Sequence, residues 1–401
     1  MSGNIYEEWG VTPVINVSGS VTRLGGAPMP TAVLLAFAEA AKDSVPLDAL
    51  QGAASCYLAE VTGAEAGIIT SGAAAGLLLG TAAILTRFDL GRMERLPHCD
   101  FPHQFVVARE HRSGYDHAVR AAGAELVEVG FHEIVSGAGV RRVESWEYAA
   151  AFCPQTAGVL YVSDPQARPP LAEVVQRAHA HGLPVLVDAA GELPPRSHLR
   201  DFIAAGADLV VFSGGKAIRG PQATGILCGR RDLVGAALLQ MIDLDDHFEL
   251  WQPPPNLIDK TKLDGLPRHG IGRGMKVSKE QIIAFLTALR LFVSGAFDGE
   301  PPEKRRLLEQ VVAGVKDLPV GSRLCVPEDG QSLPILELTL DESRLGRSAV
   351  EVCRALRQGQ PPIHVGHVGL FEGKLVLNPM HLNQERTAAL VKRLGEELTP
   401  R

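Results

Sequence analysis

A lysine follows two glycines at the end of an apolar run in DLVVFSGGKAIRG, which sets Lys216 just past a buried stretch. An amine in such a place loses solvation, and burial lowers its pKa toward that of a working base or nucleophile. Gly214 and Gly215 let the backbone approach a ligand closely. A second apolar run, VLVDAAGELPP, carries Asp188 at its end. A carboxylate there is costly unless it meets a cation. Pyridoxal phosphate (PLP) unites the two residues. It is held as a Schiff base on a lysine, and its protonated ring nitrogen needs an acid beside it. Each residue alone has a plainer reading, Lys216 as an exposed turn lysine and Asp188 as a helix cap. The pair is what points to the cofactor.

Two further segments supply what PLP would need. In TSGAAAGLLLG an apolar strand leads into Ser71, Gly72 and Ala73, and then into a helix of small residues. The free amides and positive dipole end of that helix make an anion site for the cofactor phosphate, with Ser213 as a second hydroxyl donor and Gly215 alongside. The segment is neither a P-loop nor a GxGxxG motif. In VVAREHRSGYDH, His111 follows another apolar strand and is placed to stack on a cofactor ring; Arg112 and His117 are weaker candidates.

The elements that must position these residues alternate. Apolar runs at Ala66–Thr70, Phe105–Ala108, Glu125–Val129, Gly158–Val162, Pro184–Ala189, Asp208–Phe212 and Gly225–Cys228 read as strands. Several are apolar without a break, as strands buried on both faces of a mainly parallel sheet are. Helical periodicity lies between them, as in Leu171–His181. The result is a three-layer α/β domain. WQPPPNLIDK at 251–260 reads as a linker or surface loop. A long helix begins near Ser278, with Ser278 as N-cap and Gln281 at the capping-box position. The expected organisation is an N-terminal arm at 1–25, a large cofactor-binding domain at 26–250 and a small α+β domain at 251–401.

Composition removes several classes of function. The formal net charge is −7, so nucleic-acid binding lacks its electrostatic term. Six cysteines are scattered without a CxxC pair, which suggests no zinc knuckle or redox dithiol and fits a reducing, cytoplasmic compartment. The N-terminus MSGNIYEEWG is no secretory signal, and no apolar run reaches the ~20 residues of a membrane helix.

The segments GVTPVINVSGSVTRLGG, TSGAAAG, HRSGYDHAVRAAGAELVEVG, VDAAGELPP, SGGKAIRGPQATGIL and GRGMKVSKEQI resemble the selenocysteine-synthase-like family of PLP enzymes along nearly the whole chain. That resemblance implies PLP fold type I, the aspartate-aminotransferase-like α/β fold. It implies Lys216 as the Schiff-base lysine, Asp188 at the pyridine nitrogen, His111 on the ring face, and Ser71, Gly72 and Ser213 at the phosphate. It also implies a homodimer or larger assembly with sites at the subunit interface, which Gln222 of GPQATG would reach. The family motif starts near Val14, which leaves no room for a preceding tRNA domain and, with the acidic charge, argues for a small amino-acid substrate. Where the family tends to carry an arginine near the C-terminus, Met380 stands in LVLNPMHL. Arg273, Arg168 and Arg23 are then the remaining candidates for a substrate anion, and Arg219 also lies beside a motif. The expected activity is a lyase: α,β-elimination from a polar, β-hydroxy or sugar-derived amino acid to give a 2-oxo acid. A racemase, epimerase or aldolase on the same scaffold is the rival, with His111 or His364 as a second base for racemisation. A PLP-fold binding protein without catalysis is the rival outside enzymes, and the presence of both Lys216 and Asp188 argues against it.

Overall fold

The computed structural model describes residues 4–131 and 142–400. They divide into a larger unit, Met29–Val293, and a smaller one made of Met1–Pro28 with Ser294–Arg401. The chain begins in the smaller unit with β1 (Ile15–Val17). It builds the larger unit from β2 (Ala66–Thr70), β3 (Gln104–Ala108), β4 (Glu125–Val129), β5 (Thr156–Val162), β6 (Val185–Asp188), β7 (Leu209–Ser213) and β8 (Gly225–Gly229). It then returns to the smaller unit for β9 (Val320–Cys325), β10 (Ile335–Leu340), β11 (Ile363–Val365) and β12 (Lys374–Leu377).

The seven strands of the larger unit form one sheet in the order β2-β8-β7-β6-β5-β3-β4. Only β8 runs antiparallel to its neighbours; the pairs among β3 to β7 are parallel. The parallel strands therefore open their carboxyl ends on one edge. After β4 the chain crosses back over β3 to place β5 on its other side, and that reversal of order leaves a crevice where open α/β sheets bind ligands. Strands β6 and β7 are VLVD and LVVFS, almost wholly buried, which is why they show no polar alternation.

One helix dominates the packing of this sheet. Ala73–Thr86 reads AAAGLLLGTAAILT and is buried on nearly every side. It sits close because it carries glycines where it meets the strands. A Cβ at Gly76 would lie 2.9 Å from the Val211 side chain, and one at Gly80 would lie 3.1 Å from Leu186. Its other side packs against the helix Arg231–Met241, itself largely buried.

Two expectations about organisation change. The helix Lys279–Val293 has the foreseen capping box: Gln281 N–H donates to Ser278 Oγ at 3.3 Å and Ser278 N–H to Gln281 Oε1 at 3.2 Å. It packs on the helix Thr31–Ala40, so the larger unit runs on to Val293, past the boundary expected at 250. The proline-rich stretch at 251–260 is irregular but is no surface linker, because Trp251, Leu257 and Ile258 are buried. The prolines stop regular structure while the apolar residues between them still seek the core.

In the smaller unit β1 pairs in parallel with β11, so the first residues contribute a strand rather than a free arm. A three-stranded antiparallel sheet, β12-β10-β9, packs with the helices Glu300–Gly314, Ala349–Gln358 and Gln384–Leu398 around a core that includes Val17, Leu338, Val352 and Leu390.

Candidate active site

Asp188 is the last residue of β6, and it is level with Val211 on β7. Two residues further β7 ends at Ser213, and the chain turns through Gly214 and Gly215 to Lys216. The turn is tight because residues 222–224 press on it. A Cβ at Gly214 would lie 2.3 Å from Thr224 Oγ1, and one at Gly215 would lie 2.5 Å from the Cα of Gln222. No other residue fits at either position, so the two glycines fix where Lys216 emerges. The Lys216 amine comes within 3.8 Å of the position a Cβ would take at Gly191, in the loop after β6.

Asp188 is only 8% exposed and accepts a hydrogen bond from Ala190 N–H at 3.0 Å. Burial pushes its pKa up, and the Ala190 hydrogen bond and the Lys216 charge oppose that shift. Lys216 and Asp188 are therefore coupled electrostatically across the ends of adjacent strands. A second carboxyl joins them. Burial raises the pKa of Glu192, and Asp164 and Asp188 raise it further, while His198 and Lys216 draw it down.

The row Thr70, Gly225, Ser213 crosses β2, β8 and β7. At its centre a Cβ on Gly225 would lie 2.8 Å from the Gly72 carbonyl carbon and 2.9 Å from Ala73 N. The missing side chain lets the start of the long helix settle onto the sheet beside Ser213. Gly72 has φ 107°, in the region glycine tolerates, and no side chain caps this helix. Its first-turn amides are thus left for an outside acceptor.

His111 lies in the short turn after β3, at the crevice, and is 3% exposed. Its ring meets Tyr161 edge to face, centroids 4.7 Å apart. Neither ring nitrogen makes a hydrogen bond of acceptable geometry, although the backbone at Arg168 lies close enough to favour the protonated ring. Burial dominates and lowers the His111 pKa, against Glu110 and Asp164. Two bare nitrogens on a buried ring are costly without a partner.

This donor set fits PLP. The crevice holds an amine, a buried acid without a fixed cation, an uncapped helix start beside a hydroxyl, and an imidazole with unmet polar atoms. Lys216 would carry the cofactor, Asp188 would face its ring nitrogen, and Ser71, Gly72, Ala73 and Ser213 would hold its phosphate. Gln222 is half-buried beneath Gly215. Arg219 is buried and held at φ 62°, an uncommon value for a residue with a side chain.

The foreseen anion anchors fare differently. Arg273 is ion-paired with Asp243, which already answers its charge. Arg168 is exposed in the loop after β5, beside Arg142 and Glu173. Arg23 belongs to the smaller unit and donates to His367 Nδ1 at 3.2 Å. His364 and Met380 are half-buried in the smaller unit. Arg112 is tied to Asp116 and Glu128, and His117 is exposed. Sequence reasoning passed over Glu192 and Tyr161. Glu192 had a signal: it is a lone charge in the AAGELPP loop that follows Asp188.

Comparison with known proteins agrees with this geometry. The aminotransferase class-V family matches residues 167–243, the stretch that carries Asp188 and Lys216. The chain is 31% identical over 400 residues to a 5'-C-glycyluridine monooxygenase-decarboxylase from Streptomyces sp, covering 98% of this chain and 92% of that one. It is 29% identical to a D-glucosaminate-6-phosphate ammonia lyase from Salmonella typhimurium, covering 99% and 98%. A solved structure of a D-glucosaminate-6-phosphate ammonia-lyase superposes with TM-score 0.79 at 28% identity, over 99% of each chain. An L-seryl-tRNA(Sec) selenium transferase from Geotalea uraniireducens is 27% identical over 95% of this chain. The chain belongs to the selenocysteine-synthase-like family of fold type I enzymes, whose cofactor is PLP.

Proposed function

We propose that the chain is a PLP-dependent lyase that takes a polar, β-hydroxy or sugar-derived amino acid to a 2-oxo acid and ammonia. The observation that carries this reading is the coupling of Lys216 to the buried Asp188 at the carboxyl ends of β6 and β7. PLP, when bound, supplies a sink for the electron pair left at Cα when a bond there breaks. Lys216 would hold the cofactor, and its Nζ would take the Cα proton. Asp188 would face the ring nitrogen and keep a proton there. His111, its pKa lowered by burial, would face the ring as a neutral imidazole. Glu192, whose burial makes its carboxyl hold its proton to higher pH than an ordinary glutamate and whose charge couples to Lys216 and Asp188, would serve as the proton donor to the departing β-hydroxyl. Water lost in the elimination is regained when the amine leaves as ammonia, so the net change is loss of ammonia alone. Similarity over nearly full length to an ammonia lyase supports the choice of reaction.

Similarity to a monooxygenase-decarboxylase favours a second reading, oxygen-dependent decarboxylation on the same scaffold. One experiment separates them. β-Hydroxy amino acids and amino-sugar acids are incubated with the enzyme while oxo acid, ammonia, carbon dioxide and oxygen are followed. Oxo acid and ammonia in equal amounts without oxygen uptake is the expected result. Carbon dioxide release matched to oxygen consumption would replace the lyase reading with the second one.

We also propose a cytoplasmic homodimer. Exposed Trp9, Val368 and Phe371 support the assembly, because large apolar side chains left in water are a common mark of an interface. Six free cysteines support the compartment. Light scattering should give twice the chain mass or a multiple of it; a fully active monomer would contradict the assembly.

A further inference from the structure

The smaller unit holds a basic cavity of about 450 Å³ that the cofactor cradle does not use. One face of the helix Ala349–Gln358 forms its wall, with Cys353, Arg354 and Arg357 following Val350 at helical spacing. Arg23, from the turn Thr22–Leu24, and His367, after β11, complete it. None of the lining residues is acidic. Among the described residues, Arg23, Arg354 and Arg357 make no salt bridge. Arg347 and Arg393 of this unit, by contrast, are ion-paired, Arg347 with Glu397 and Arg393 with Glu396 and Glu397. The nearest acid along the helix, Glu351, accepts from the backbone and hydroxyl of Ser348 and feels the charge of Arg354 without forming a salt bridge to it.

The hydrogen-bond chemistry points the same way. A guanidinium can only donate, so the contact from Arg23 makes His367 Nδ1 an acceptor and puts the ring proton on Nε2. His364, on β11, has a buried Nδ1 without a partner, and Arg357 has a buried Nε without one. Burial holds the pKa of His364 down, and the charges of Arg357 and Arg23 add to that shift. Three arginines, one with an unpartnered buried Nε, thus line one hollow in a chain whose net charge is −7. Gathering like charges without a counter-ion is unfavourable, and an anion with several acceptor oxygens relieves it.

We propose that this cavity binds a phosphate monoester dianion. A carboxylate offers two oxygens and a single charge, which leaves at least two guanidiniums unanswered. The volume exceeds that of a bare phosphate, so a small hydroxylated body attached to the phosphate fits with it. The proposal does not depend on the reaction assigned above, since every residue it uses lies in the smaller unit.

The test uses PLP-loaded protein freed of unbound cofactor, titrated calorimetrically with inorganic phosphate, glycerol 3-phosphate and acetate. Saturable binding of both phosphates with a Kd of about 1 mM or tighter, and at least tenfold weaker acetate binding, is expected. Arg357→Gln should weaken phosphate binding at least tenfold and leave the visible absorbance of the cofactor unchanged. Arg354→Gln, at an exposed position, gives the same readout without risk to folding. Arg357→Lys, which keeps charge and loses the fork, should fall between. Tighter glycerol 3-phosphate than inorganic phosphate would assign the remaining volume to the ester's organic part, and equal affinities would assign the site to the free anion. Absence of saturable phosphate binding up to about 20 mM, or equal affinity in the wild type and both glutamine variants, would overturn the proposal.

Discussion

In the proposed reaction Lys216 and Asp188 act as a pair, and each can be tested alone. Borohydride reduction of the holoprotein should fix the mass of the cofactor on the peptide carrying Lys216, read by mass spectrometry. Reduced protein carrying the label elsewhere would refute the assignment. Asp188→Asn is nearly isosteric, so the fold should persist while turnover falls by about 10²–10³-fold. The same substitution should act on stability with the opposite sign. Burial raises the folded-state pKa of Asp188, so its ionised form penalises the apoprotein as pH rises through that raised value. Apo Asp188→Asn should therefore melt higher than the apo wild type at pH 8, and the gap should close on acidification toward the ordinary carboxylate range. An unchanged gap between pH 5 and pH 8 would mean that Asp188 is not the group that carries the cost. Glu192→Gln removes a proton donor with a raised pKa, so it should change the alkaline limb of the kcat profile more than KM. Lys216 and Asp188 were legible in the sequence because each ends an apolar run. Glu192 left only a weak mark there, a lone charge in its loop, because the shift of its carboxyl comes from the burial and charge that the folded crevice imposes.

At the scale of elements, the strands were legible almost to the residue and the substrate anchors were not. β2 and β4 match their expected bounds, and the others of the large sheet differ by one or two residues at an end. Wholly buried strands announce themselves by uninterrupted apolar sequence. An arginine announces nothing about its partner, which is why Arg273 looked available until Asp243 was found beside it. The proline-rich stretch was misread for the reverse reason: proline signals irregular backbone but says nothing about burial. The element that most exactingly serves the site is the start of the Ala73–Thr86 helix, seated on Gly225. Gly225→Ala would thrust a methyl against the Gly72 and Ala73 backbone. That overpacking should cost about 1–3 kcal/mol in urea unfolding and weaken cofactor retention at least tenfold, with far-UV circular dichroism preserved. Cofactor affinity equal to wild type would show that the helix start does not hold the phosphate.

At the scale of the molecule, the larger unit owns the cofactor cradle and the smaller unit owns the basic cavity. With two compact units in one chain, the apoprotein should unfold in more than one step, and calorimetry should give a van't Hoff enthalpy below the calorimetric one. The helix Ala73–Thr86 has a consequence for how the chain is made. It is almost wholly apolar, and two elements that cover much of it, β8 and Arg231–Met241, come much later in sequence. The ribosome delivers about 5–20 residues per second, so this helix waits roughly 7 to 30 seconds for that cover. During that interval it is an adhesive surface on a nascent chain. Cell-free translation halted before residue 225 should give a product that sediments or is captured by trigger-type chaperones, whereas the complete chain is released to the supernatant. Shielding during synthesis is thus the counterpart of a proposed cofactor cradle built on a helix buried along nearly its whole length.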